Sequence, residues 1–240
     1  MPIDPSLITL VNPKSPITEA YRTLQTNLDF SSLDEPIKSL TITSPGVSEG
    51  KSTTSANLAL TYAQSGKRVL LIDCDLRCPR IHHLFQLSNH QGLSNILCLK
   101  QPFEEMIHPI NKQLDVLATG PLPPNPIEFL NSAVFKKFIQ QVSTMYDRVI
   151  FDTPPVGILT DAALIGSQTD GTLLVVATGK SEIELTKKAK ENLLNVKANL
   201  LGTVMTMVTM TNKKYSHYYS HYGVEDLKSK RRFRLWGRKR

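Results

Sequence analysis

Long apolar runs are missing from this 240-residue chain. None approaches the roughly 18 residues that a membrane-crossing helix needs. Cysteine is scarce: Cys74, Cys78 and Cys98 are an odd number without the spacing of a disulfide framework, which points to a reducing compartment. Met1 to Ser6 shows no charged-then-apolar leader, and no internal repeat is visible, so neither secretion nor a membrane span is expected and the cytoplasm is. Excess positive charge is confined to one end. The net charge is +7, yet 227–240, "LKSKRRFRLWGRKR", carries eight Lys or Arg and no acid, leaving the remainder close to neutral. A body of that charge is no basic reader of nucleic acid; only the tail is basic. With 40% apolar and 20% charged residues, the composition is that of a globular protein with one sizeable core.

Apolar periodicity alternates between two kinds of segment. "EAYRTLQTNLDF" predicts a helix with Ala20, Tyr21, Leu24 and Leu28 on one face. "SLTITS", "KRVLLID", "LDVLAT", "RVIFD", "TLLVVAT" and "LLGTVMTMV" read as strands, several apolar throughout, as in a parallel sheet covered on both faces. Helical stretches are expected near 57–63, 135–145, 161–167 and 183–196 between them. The fold class is therefore α/β, a parallel sheet flanked by helices on both faces. One domain is expected over 1–210, followed by a flexible tail at 211–240 that is first rich in Tyr and then basic.

Three stations on that sheet carry chemistry. "SPGVSEGKSTT" lies between a strand and a helix and nearly spells the phosphate loop G-x-x-x-x-G-K-[ST], with Pro45 at the first glycine. Its residues Gly46, Val47, Ser48, Glu49, Gly50, Lys51, Ser52 and Thr53 would cradle phosphates, Lys51 supplying charge and Ser52 meeting a magnesium ion. "RVLLIDCDLRCPR" ends a strand with Asp73 and Asp75, which strand alternation would place on one face with Cys74 turned away into the core. Two such carboxylates suit a divalent cation. "YDRVIFDTPPV" ends another strand with Asp152, a further magnesium partner. Each station alone also fits a solvated strand end or a turn. In this order, on successive strands, they predict a magnesium-nucleotide site for ATP and Mg2+, with Pro45 a variant entrance.

These residues resemble the cytoplasmic bacterial tyrosine kinases that govern capsule and exopolysaccharide synthesis. "EAYRTLQTNL", "SEGKSTTSANLA", "VLLIDCDLRCPR", "GLSNIL", "GPLPPNPIEFL", "YDRVIFDTPPVGILTDA" and a terminal tyrosine cluster carry the resemblance over nearly the whole chain. It implies a phosphate-loop fold related to septum- and plasmid-positioning ATPases. By the same resemblance Lys51 holds the β- and γ-phosphates, Ser52, Asp75 and Asp152 serve the metal, and Asp73 takes the tyrosine proton. It further implies a homo-oligomer with phosphorylation in trans. The expected activator is a membrane protein of the polysaccharide co-polymerase type, which would bring the kinase to the inner face of the cell membrane. The chain departs from the family pattern twice. Ser48 stands where members often have glycine. In the interface helix, Glu19 and Arg22 are followed by Gln25 where a second arginine is common.

"YSHYYSHYG" offers Tyr215, Tyr218, Tyr219 and Tyr222, which match the family's autophosphorylation cluster. Aromatics are generally depleted from disordered segments, so four there call for a role. His217 with His221, and Cys74, Cys78, His82 and His83, lack the second ligand pair of a structural metal site. The basic end at 227–240 could meet anionic lipid, other proteins are expected as substrates, and nothing else in the chain supports nucleic acid. Two rivals remain: a positioning ATPase, which usually carries a further lysine at the start of the loop, and a nucleotide-bound scaffold without transferase activity.

Overall fold

The computed structural model describes residues 4–31, 36–99 and 101–209. The strands are β1 (Ser39–Thr43), β2 (Val69–Asp73), β3 (Ile107–Pro109), β4 (Leu114–Leu117), β5 (Arg148–Asp152), β6 (Gly171–Ala177) and β7 (Leu200–Thr206). They form one sheet in the order β3-β4-β2-β5-β1-β6-β7. All neighbours are parallel except β3, which runs antiparallel to β4. Among the described residues the helices are α1 (Ile8–Val11), α2 (Pro16–Phe30), α3 (Lys51–Gln64), α4 (Ile81–Leu84), α5 (Leu93–Leu99), α6 (Pro126–Leu130), α7 (Ala133–Met145), α8 (Asp161–Gly166) and α9 (Ile183–Asn195). None is long and apolar enough to cross a membrane.

Every residue of β1, β2 and β5 is buried, as in strands covered on both faces, although β1 alternates polar Ser39, Thr41 and Thr43 with apolar Leu40 and Ile42. Alternate side chains feed opposite cores. Leu40, Ile42, Val69, Leu71 and Ile150 join Leu58, Leu60 and Tyr62 of α3 on one face. Leu70, Ile72, Val149 and Phe151 join Phe135, Phe138, Ile139 and Val142 of α7 on the other. Cys74 belongs to this second core and is fully buried; burial and the neighbouring aspartates push its thiol well up. The small residues of α3 let it run between the sheet and α2, buried over nearly all its length.

Two expectations need correcting, and one strand was not expected. Ala20 is exposed: the covered face of α2 centres on Thr18, Tyr21 and Leu28, and Ala20 lies a step around the helix from it. The helix after the glycine loop begins at Lys51, not near residue 57, because its first turn is polar and gives no apolar signal. The short edge strand β3 has no strand-like run at all. Ser15 caps α2 by accepting from the Thr18 N–H, with Pro16 in the first turn, a start that polar and proline residues favour. The tail residues singled out above, Tyr215, Tyr218, Tyr219, Tyr222, His217, His221 and the basic end, lie outside the described residues.

Candidate active site

Parallel strands put the loops after β1, β2 and β5 on one rim of the sheet, where ligands bind in open α/β folds. The first of these loops is held on several sides. Ser44 Oγ donates to the Gly46 carbonyl at 2.6 Å, and Val156 N–H donates to the Ser44 carbonyl at 2.9 Å. A Cβ on Gly157 would sit 2.4 Å from the Pro45 carbonyl, so the loop after β5 packs directly on the variant entrance. Thr206 at the end of β7 donates to the Glu49 carbonyl, and Lys180 Nζ donates to the Ser48 carbonyl at 2.8 Å.

The backbone turns upward into the helix through two left-handed residues, Ser48 (φ 55°) and Gly50 (φ 94°). Glycine adopts that region at no steric cost, whereas serine does not. Gly50 caps α3 without a side-chain acceptor, so the first N–H groups of this 14-residue helix are left for an incoming anion. Val47, Ser48, Gly50, Lys51, Ser52 and Thr53 line a cavity of about 690 Å3. Gly46 and Glu49 do not. The Glu49 side chain folds back against Gly46, buried, with Oε2 unpartnered.

Asp73 and Asp152 end neighbouring strands in register. Both are almost fully buried and do not line the cavity themselves. Asp152 Oδ1 accepts from Ser55 Oγ at 2.9 Å, while Oδ2 has no partner. Burial raises the Asp152 carboxyl, and the nearby Ser52 hydroxyl and Lys51 ammonium oppose the shift. Burial also raises Asp73, and further, because the Asp152 carboxylate adds to it. Main-chain donors hold Asp73 in place: Asp75 N–H on Oδ1, and Arg80 and Ile81 N–H on Oδ2.

Asp75 lies beyond the strand, not on its alternating face as the sequence suggested. It starts a turn, with Oδ1 accepting from the Arg77 and Cys78 N–H groups, and it reaches the cavity wall. That turn, anchored by Asp73, is what brings the two carboxylates to one place. Arg77, beside it, makes a two-pronged pair with the fully buried Asp161, Nε to Oδ2 at 3.0 Å and Nη2 to Oδ1 at 3.2 Å. Sequence reading left Arg77 without a role and missed Asp161; their separation of 84 residues gives no local signal.

The described residues hold no cluster of three or more His, Cys, Asp or Glu gathered as in a protein-built ion cage. Magnesium does not require one, since it keeps waters and substrate phosphates and takes one or two carboxylates. Asp152, buried with an unpartnered oxygen beside Ser52, fits such an ion on chemical grounds.

Glu19 and Arg22 are exposed on α2 and pair with each other at 3.0 Å, Arg22 also donating to the Pro13 carbonyl. Gln25 turns inward instead, donating to Ser65 Oγ just past the end of α3. Its side chain is thereby drawn off the Glu19–Arg22 face.

A family described as an AAA domain matches residues 38–186. The tyrosine-protein kinase YwqD of Bacillus subtilis (strain 168) is 46% identical over 224 residues, 92% of each chain. The putative tyrosine-protein kinase CapB of Staphylococcus aureus is 39% identical over 214 residues, 89% of this chain and 93% of that one. Among solved structures, the chimerical protein CapA2B2 superposes with a TM-score of 0.80 at 39% identity, covering 84% of this chain and 89% of its own. The MinD cell division protein of Aquifex aeolicus reaches 0.58 at 23% identity, covering 78% and 73%, a likeness of fold alone.

Proposed function

The chain belongs to the bacterial tyrosine-protein kinases, and from that premise we propose that it moves the γ-phosphoryl group of ATP to tyrosine hydroxyls with Mg2+ as the counter-ion. The observation that carries the proposal is one cavity bounded by the uncapped start of α3, Lys51, Ser52 and Asp75, with buried Asp152 acted on by Lys51 and Ser52, and Asp73 by Asp152 and Asp75.

Phosphoryl transfer depends on in-line placement and charge neutralisation. The N–H groups at the start of α3 and the Lys51 ammonium hold the outer phosphates. Ser52, Asp75 and Asp152 would hold a magnesium ion, which when bound would supply positive charge to the phosphate oxygens. Asp73 takes the phenolic proton. Its carboxyl is raised toward neutrality by burial and by Asp152, which makes it a stronger base than an ordinary aspartate. A tyrosine of pKa about 10 needs such help near pH 7.

The tail tyrosines Tyr215, Tyr218, Tyr219 and Tyr222 are the acceptors in this reading, delivered by another subunit through an assembly that uses Glu19 and Arg22. The setting is capsule or exopolysaccharide synthesis, with a membrane protein as activator. Mg-ADP in the MinD protein of Pyrococcus horikoshii supports the nucleotide by fold. The experiment is direct. The full chain is given ATP and Mg2+, with and without the membrane activator, and phosphotyrosine is measured. Asp73→Ala abolishes the signal, and changing all four tail tyrosines to Phe removes most of it. ATP hydrolysis without phosphotyrosine assigns the chain to the positioning ATPases instead, although Pro45 and Gly46 stand where their extra lysine would be. Neither activity leaves a scaffold.

A further inference from the structure

Two arginines line the cavity, and they are engaged differently. Arg77 is committed to Asp161. Arg80, exposed at the rim, forms no ion pair among the described residues. Its main-chain N–H donates to Asp73 Oδ2 at 2.9 Å, so its side chain departs from the backbone one hydrogen bond away from the proposed base. His83 continues the same wall. The acids facing the cavity are already engaged: Ser6 N–H and Oγ hold Asp4, and the Arg77 and Cys78 N–H groups hold Asp75. A cation without an ion-pair partner among the described residues therefore stands on the wall of this cavity.

The acceptor sequence has a matching regularity. Tyr222 is followed three and four residues later by Glu225 and Asp226. Tyr219 and Tyr218 are followed at three and four by Tyr222, and Tyr215 by Tyr218 and Tyr219 at the same spacings. Three or four residues of extended chain cover about 10 to 14 Å, enough to set this neighbour outside the phosphate cradle. Every tail tyrosine thus has, at three or four residues toward the C-terminus, either an acid or a residue that becomes an anion once phosphorylated.

We propose that Arg80, with His83 beside it, is an acceptor-side subsite for an anion three or four residues C-terminal to the target, so that the tail is phosphorylated in order from Tyr222 back to Tyr215. This rests on the kinase reading above. Glu225 and Asp226 start the sequence, and each new phosphotyrosine, with nearly two negative charges, becomes the anion for the next target. In every step the tyrosine Oη–Pγ bond forms and the bond from Pγ to the β–γ bridging oxygen breaks. ADP leaves with that electron pair, and the phenolic proton passes to Asp73 and then to water.

The test uses the full chain with ATP, Mg2+ and the membrane activator, quenched at intervals, with each tail site followed by mass spectrometry. Tyr222 is modified first, Tyr219 and Tyr218 next, Tyr215 last. Changing Glu225→Gln with Asp226→Asn slows the first event about tenfold, the effect of losing one charge-assisted contact. Tyr222→Phe delays Tyr218 and Tyr219 by a similar factor. In an Arg80→Gln chain the order disappears and the Glu225/Asp226 change has no further effect, while the KM for ATP stays as in wild type. Arg80→Lys keeps the order. Equal rates at all four tyrosines, or order that survives Arg80→Gln, overturn the proposal. So does a raised KM for ATP in Arg80→Gln, which makes Arg80 a nucleotide contact. Absence of any phosphotyrosine sinks the kinase reading and the order with it, whereas phosphorylation without order sinks the order alone.

Discussion

The two ends of the sheet treat their carboxylates in opposite ways. At the rim where the strands begin, donors surround the acids. Asp170 accepts from Lys38 N–H, Ser39 N–H and Ser39 Oγ, all within 2.8 Å. Asp147 accepts from Arg68 N–H, and Asp115 from the Tyr146 hydroxyl. Asp29 takes both the Tyr62 hydroxyl and Arg148, whose guanidinium also lies 4.5 Å over the Tyr62 ring. At the rim where the strands end, Asp73 and Asp152 are packed beside each other, and Asp152 Oδ2 and Glu49 Oε2 are buried without partners. Buried charge without compensation is destabilising. One rim ties the fold together; the other keeps two buried carboxylates side by side, offset only in part by Lys51 and by main-chain donors.

The sharpest way to separate the rims is to remove one charge from each. Lys51→Met takes the cation from the phosphate-binding side and is expected to lower phosphotyrosine formation about 100- to 1000-fold, in line with loss of a transition-state charge partner. Its thermal unfolding stays close to wild type, since no hydrogen bond from its side chain ties the fold among the described residues. Asp170→Ala does the reverse. It frees two main-chain N–H groups and a hydroxyl and costs about 1–2 kcal/mol in stability, read from denaturant unfolding. Activity per folded molecule is unchanged. If Lys51→Met unfolded the chain, or Asp170→Ala lost activity without losing stability, the division between the rims would be wrong.

This division also accounts for what the sequence disclosed. Continuous apolar runs make β2, β5 and β6 readable, because strands covered on both faces favour apolar side chains. The glycine loop and the terminal aspartates are readable because their chemistry is local to a strand end. Asp75 was misplaced since its position depends on hydrogen bonds from a turn, not on strand alternation. The pairing of Arg77 with Asp161 was invisible, as was that of Asp170 with Ser39, 131 residues apart. The apolar pattern fixes which layer a residue enters. Long-range polar partners leave no periodic trace.

A smaller effect appears in the pH dependence of stability. Both Asp73 and Asp152 are raised in the folded state, first by burial. An acid raised on folding contributes stability that is full below its unfolded pKa of about 4 and is lost as the pH rises through the folded value. Metal-free protein should therefore unfold more readily at pH 7.5 than at pH 5.5, so far as these two groups govern it. Mg2+ with ADP should flatten the slope, because a bound cation favours the ionised carboxylates. Asp152→Asn should flatten it without any ligand. A metal-free stability that climbs across this interval in wild type, with no change in the Asn variant, would show that the upper rim is not strained by its own charge.

The smallest expected effect sits in the loop itself. Ser48 is held at φ 55°, and Lys180 fixes its carbonyl. A side chain in that region costs about 1–2 kcal/mol relative to glycine, while glycine gives back about 0.5–1 kcal/mol through its freer unfolded chain. Ser48→Gly should therefore stabilise the protein by no more than about 1.5 kcal/mol. Its kinetic consequence is more informative than its size. With the loop already pinned by Lys180 and Thr206, glycine should leave the KM for ATP within about twofold of wild type. Combined with Lys180→Ala, the same substitution should raise KM well beyond the sum of the two single changes, because nothing then holds the peptide in its left-handed turn. Strict additivity would mean that Lys180 merely rests on the loop, and that serine alone keeps the cradle in shape.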